Sequence, residues 1–142
     1  MPNERQPIQQ SAVLAYRIRK KKMQFALVTS LDTGRWVIPK GHIESGLSAH
    51  ASAEKEAFEE AGLFGSVSKD EIGQYSYKKA ELKGGGDCLV QVYPMRVRRS
   101  VSNWPEKALR RRKWMSPNKA AAAVIEPELS KLILRFSDQA QF

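Results

Sequence analysis

The sequence predicts an α+β fold, an α/β/α sandwich in which a mixed β-sheet carries a central helix and C-terminal helices. Three observations predict it. Short apolar alternations recur between turn residues, an Ala- and Glu-rich segment stands between cap residues Ser48 and Gly62, and two segments near the C-terminus start with proline. The order read is β, β, short β, helix, β, β, short β, helix.

Met1–Gln10 is polar and without periodicity, and reads as a flexible lead-in to a single domain over residues 11–142. Ser11–Arg19 sets Val13 and Ala15 against Leu14, Tyr16 and Ile18, which predicts a strand with both faces partly covered. Lys20–Lys22 is a cationic turn, and Phe25–Thr29 closes an antiparallel hairpin. Leu31–Gly34 supplies turn chemistry before a brief β segment, Trp36–Ile38, which Pro39 stops. Gly41 and Gly46 then predict a tight loop.

Ser48 is a good N-cap, so Ala49–Ala61 is expected to be helical and Gly62 to close it in the left-handed conformation. Ala49, Ala53, Ala57 and Ala61 fall in or beside the arc of the helix glutamates, where small residues would admit a backbone or a phosphate. Downstream, a strand is expected to start at Val67, and Tyr75–Tyr77 alternates. Gly84–Asp87 forms a turn ahead of a strand, Cys88–Val97, in which Pro94 argues for an edge position or a bulge. Arg99–Arg112 is a cationic connection and Lys113–Met115 a short strand. Ser116 and Pro117 open a helix over Asn118–Val124, and Pro127–Phe136 places Leu129, Leu132, Ile133 and Phe136 at core spacing.

Composition excludes several function classes. Cys88 is the only cysteine, which rules out an internal disulfide and a cysteine-built zinc site. His42 and His50 are the only histidines and make no zinc ligand set. No apolar run is long enough to span a bilayer, and the N-terminus lacks the apolar core of a signal peptide, so a cytoplasmic protein without a membrane partner is expected. The net charge of +9 gathers in Arg17–Lys22, Arg96–Arg99 and Arg110–Lys113. Such a field favours polyanions, phosphorylated small molecules or nucleic acid.

The chemistry is concentrated in Lys40–Leu63. Glu56, Glu59 and Glu60 stand at i, i+3 and i+4, so a helix puts all three carboxylates on one face. Like charges so placed weaken a helix by about 0.2–0.5 kcal/mol per pair, and acids near its C-terminal end oppose the macrodipole. A divalent cation such as Mg²⁺ or Mn²⁺ removes both objections. A solvated acidic face is the alternative that the cluster alone leaves open.

The spacing of Gly41, five residues, position 47, seven residues and then Lys55-Glu56-Ala57-Phe58-Glu59-Glu60-Ala61-Gly62-Leu63 resembles the Nudix box, with Leu47 where the motif has Glu and Lys55 where it has Arg. The flanks GRWVIPKG and WPEKALRRRKWMSPNKAAAAV resemble the branch of diadenosine and diphosphoinositol polyphosphate phosphohydrolases. The resemblance implies a Nudix fold and hydrolysis of a phosphoanhydride in a nucleoside diphosphate-linked compound, a dinucleoside polyphosphate or a diphosphoinositol-like substrate.

It implies Glu56 and Glu60 as metal ligands, Glu59 as a third ligand or general base, and the Lys40 carbonyl as a further ligand. Glu44 stands where a carboxylate could replace the missing motif acid, or serves its own loop. Glu81 and Asp87 are candidate bases from outside the box. Arg35, Arg110 and Arg112 are expected to contact phosphate through their guanidinium forks, and Trp36 and Trp104 are candidates for stacking on a base. Two other readings remain: a low-activity nucleotide- or RNA-binding module, and an RNA 5′-end pyrophosphohydrolase. The oligomeric state stays open.

Overall fold

The computed structural model describes residues 6–79 and 84–140. Eight strands and three helices are assigned among them: β1 Ile8–Arg19, β2 Lys22–Thr29, β3 Trp36–Val37, β4 Lys40–His42, α1 Ala49–Ala61, β5 Leu63–Val67, β6 Gly73–Lys78, β7 Asp87–Ser100, β8 Arg112–Met115, α2 Pro117–Ala123 and α3 Pro127–Gln139. The strands form one mixed sheet with the path β3-β2-β1-β7-β5. β4 adds to β1, β6 to β7 and β8 to β2.

β1 is central, and its near-continuous apolar run follows from burial on both faces. Ala12 and Leu14 face one layer with Phe25, Leu27, Val90, Val92 and the α3 residues Leu129, Leu132 and Ile133. Val13 and Ala15 face the other with Ala26, Val28, Met95 and α1. The sandwich predicted from segment order is therefore present, with α1 on one face and α2 and α3 on the other.

Several local expectations shift. β1 begins at Ile8, before the expected Ser11, and Gln10 is buried, because parallel pairing with β7 starts at Ile8–Cys88. Lys40–His42 pairs with β1 where a tight loop was expected. β5 ends at Val67, where a strand was expected to start. Pro94 lies on an interior strand and not at an edge. Its carbonyl accepts from Ser68, and it falls in the interval between β6, whose pairing reaches Val92, and β5, whose pairing starts at Met95, so its missing N–H interrupts no ladder. Ala53, Ala57 and Ala61 are fully buried against the sheet, so the small residues of α1 bring the helix close to β1 and leave no room there for a phosphate.

The caps of α1 match the sequence reading. Ser48 Oγ accepts from Ala51 N at 3.2 Å, and Gly62, at φ 65°, sends its N–H to Phe58 O. Trp104 packs over Gly62, where a Cβ would stand 2.8 Å from the indole, and its Nε1 donates to Glu60 O at 3.0 Å.

Arg112 locks this corner. Its guanidinium donates to Ala61 O at 2.7 Å and Val101 O at 3.0 Å, and lies 4.3 Å from the Trp104 ring centroid. Arg112→Ala removes this donor from Ala61 O, the last carbonyl of α1, and from Val101 O, and uncovers the indole. The expected loss is about 2 kcal/mol of stability, read as a lowered urea midpoint with an unchanged slope.

Candidate functional site

The end of α1 and the strand β4 bring the acids against a cleft. Gly41 in β4 explains how Glu56 fits there, since a Cβ on residue 41 would stand 2.5 Å from the Glu56 carboxyl carbon. Glu56 and Glu60 stand one helical turn apart on α1. Glu60 is buried, accepts from the Lys40 backbone N–H at 3.2 Å and pairs with Arg110 at 3.2 Å.

Burial, then Glu60, Glu59 and Glu106, push Glu56 up to about 8. Burial also lifts Glu60, to about 7, outweighing the opposing pull of Arg110 and Lys40. Both carboxyls therefore hold a proton more tightly folded than unfolded. Their contribution to stability is complete below the ordinary carboxylate value of 4.5 and is lost as pH rises through about 7 and 8. In the presence of a chelator, the melting temperature is expected to be lower at about pH 8.5 than at about pH 5.5, and that difference should shrink in Glu56→Gln.

Glu59 stands apart from this pair. Its side chain is 35% exposed and lies 4.0 Å from Lys55 Nζ. Lys55 in turn grips Glu44 at 2.9 and 3.1 Å, so Glu44 tethers its loop to α1, while Leu47 is exposed. Among the described residues, no three acidic, histidine or cysteine side chains converge into a ready metal-ligand set.

A fourth acid reaches the cluster, one that sequence reasoning had not picked out. Glu106 approaches through its backbone N–H, which donates to Glu59 O at 3.0 Å, and its carboxylate accepts from Arg110 Nε at 2.7 Å. Its charge raises the proton affinity of both Glu56 and Glu60. Its only mark in the sequence is the Trp104-Pro105-Glu106 run.

The cleft has a volume of about 690 Å³, and Arg35, Lys40, Glu60, Tyr77, Arg110 and Glu126 line it. Arg35 makes a forked pair with Glu126, at 2.8 and 3.2 Å. Arg110 also donates to Thr29 O at 3.0 Å. Burial draws the Lys40 ammonium down from its ordinary value, and its Nζ lies 5.0 Å from the Tyr77 ring centroid.

Of the three arginines expected at phosphate, Arg35 and Arg110 line the cleft, and Arg112 is turned to the end of α1. Trp104 is occupied in packing on Gly62, and Trp36 is partly buried against the core with Arg111 over its ring. Asp87 is exposed at the start of β7, beside a neighbouring cavity lined by Lys78, Lys79 and Gly84–Gly86. Glu81 lies outside the described residues. Cys88 is buried, as a small hydrophobe would be.

Two neighbouring carboxyls of raised proton affinity on a capped helix, beside a cleft lined by two arginines and a lysine, suit a multiply charged phosphate ligand. Residues 8–136 match the NUDIX domain, and the chain belongs to that family. It is 30% identical over 111 residues to Nudix hydrolase 16, mitochondrial, of Arabidopsis thaliana, covering 75% of this chain and 61% of the relative. Nudix hydrolase 13, mitochondrial, of the same plant is 28% identical over 107 residues, covering 71% of this chain and 53% of the relative. The chain thus spans only part of the length of these relatives.

Solved structures share the fold. An Ap4A hydrolase binary complex from C. elegans matches with a TM-score of 0.70 at 20% identity, covering 92% of this chain and 96% of the other. The MutT protein from Methanosarcina mazei Go1 matches with a TM-score of 0.71 at 19% identity, covering 96% and 98%. No helix among the described residues is long and apolar enough to cross a membrane.

Proposed function

We propose that this chain is a metal-dependent Nudix pyrophosphohydrolase that cleaves a phosphoanhydride bond in a dinucleoside polyphosphate or a diphosphoinositol-like compound. The observation that carries this reading is the placement of Glu56 and Glu60, hard oxygen donors one helical turn apart, against Gly41 and beside a cleft lined by Arg35, Lys40, Glu60 and Arg110. The fit has a second support in Gly41, whose missing side chain leaves the space that Glu56 fills.

Glu56 and Glu60 would hold Mg²⁺ or Mn²⁺, with Glu59 or the Lys40 carbonyl as further donors. When bound, the cation neutralises charge on the bridging and leaving oxygens. Arg35 and Arg110 exchange part of their present pairing with Glu126, Glu106 and Glu60 for the phosphate oxygens, which orients the chain of phosphates along the cleft. Glu59, more exposed than Glu60, accepts the proton of the attacking water. Arg112 keeps the end of α1 in place beneath this arrangement. The Ap4A hydrolase fold neighbour makes dinucleoside polyphosphates the first substrates to try.

The test is a panel of dinucleoside polyphosphates and diphosphoinositol phosphates with either cation. Turnover by the wild type that disappears in Glu60→Gln supports the reading, and equal background for both on every compound removes it. Cytoplasmic location belongs to the same proposal, and imaging of the tagged full-length protein checks it.

A further inference from the structure

The cationic runs of the sequence part company in the fold. Arg110 and Arg112 are used internally, on Glu60, Glu106 and the carbonyls of Thr29, Ala61 and Val101. The other two runs come to one end of the sheet, because β1 and β7 are parallel neighbours paired from Ile8–Cys88 to Tyr16–Arg96. Their C-terminal segments carry Arg17, Arg19, Lys20, Lys21 and Lys22 on one side, and Arg96, Arg98 and Arg99 on the other. The cleft lies at the opposite end, around Gln10 and Lys78. Arg19 is roughly 30 Å further along β1 than Gln10 at the ordinary strand rise.

A solvated surface is the bland explanation of a charge run, and three observations count against it. All of these cations but Arg17 are exposed, and among the described residues none of them makes an ion pair. The hairpin turn is built on Lys20 at φ 54° and Lys21 at φ 65°. Both positions call for Asn or Gly, and lysine there is strained without burying anything in return. Beside the cations stand partly open aromatic rings. The Arg17 guanidinium lies 4.0 Å from the Trp114 ring centroid, and that of Arg99 4.9 Å from the Phe64 centroid.

We propose that this end of the sheet binds single-stranded nucleic acid, separately from the cleft. The hairpin lysines and the β7 arginines take the phosphates, and bases stack against the Arg17–Trp114 and Arg99–Phe64 pairs. Guanidinium planes and aromatic rings both accept unstacked bases, which a duplex does not present and an anionic membrane does not have.

Fluorescence anisotropy with a labelled RNA of about 12 nucleotides tests this on the full chain. Affinity is expected to fall linearly with salt on a log–log plot between about 50 and 200 mM. Lys20→Asn with Lys21→Gly should weaken binding about tenfold at the lower salt while raising the melting temperature, since strain and charge leave together. Arg98→Glu with Arg99→Glu should weaken it at least as much, and hydrolysis of small phosphoanhydrides should be unchanged in both variants. Affinity indifferent to salt or to both variants, equal affinity for a duplex of the same length, or preference for anionic vesicles would each overturn the proposal.

Discussion

Glu60→Gln is expected to lower kcat/KM by about a hundredfold or more without lowering stability. The amide keeps the shape of the side chain and can still accept from the Lys40 N–H, so the packing of α1 survives. It removes the carboxylate opposite Arg110 and the acid whose charge raises the proton affinity of Glu56. A carboxyl whose proton affinity is raised by burial costs the fold stability at neutral pH, so the melting temperature should stay level or rise. Steady-state kinetics and thermal melting on the same sample check both halves, and a parallel loss of activity and stability would point to a structural role instead.

Gly65→Ala is expected to be the most damaging single methyl group in the chain. The β5–β7 ladder shifts register between Phe64 and Gly65, which leaves Arg98 without a partner and draws Gly65 against the opposite strand. A Cβ there would overlap the Arg96 carbonyl oxygen, which is backbone and has no rotamer to move into. The strands must separate or the bulge must be rebuilt, at about 3 kcal/mol or more. Urea unfolding reads this as a lowered midpoint, and an unchanged midpoint would mean that β5 can slide without loss.

The parts of this molecule that were legible in its sequence are those set by local chemistry. Ser48 and Gly62 bound α1 because a hydroxyl cap and a left-handed glycine act within one turn. Glu56 and Glu60 came together because i, i+4 spacing is a property of the helix alone. What stayed hidden depends on distant partners. β4 has three residues and no alternation, and exists because Ala12 and Ser11 pair with it. Pro94 argued for an edge or a bulge, since nothing local tells that β6 and β5 leave an interval opposite it.

At the site, helix spacing grouped Glu59 with its neighbours, but Lys55 stands beside it, while Glu60 is buried toward Lys40 and Arg110. Glu106 arrives only because Trp104 docks on Gly62 and the following turn hydrogen-bonds to Glu59. Arg112 carries the same charge and sits in the same run as Arg110, yet its strand register turns it to the end of α1.

Hydrolysis of the substrate panel in ¹⁸O-water, followed by mass analysis of the products, bears most directly on the acid pair. Magnesium- or manganese-dependent turnover that places one ¹⁸O on a single phosphate product, and that is lost in Glu56→Gln, is the expected result. Turnover that needs no divalent cation, or survives that substitution, would contradict a hydrolytic site built on Glu56 and Glu60.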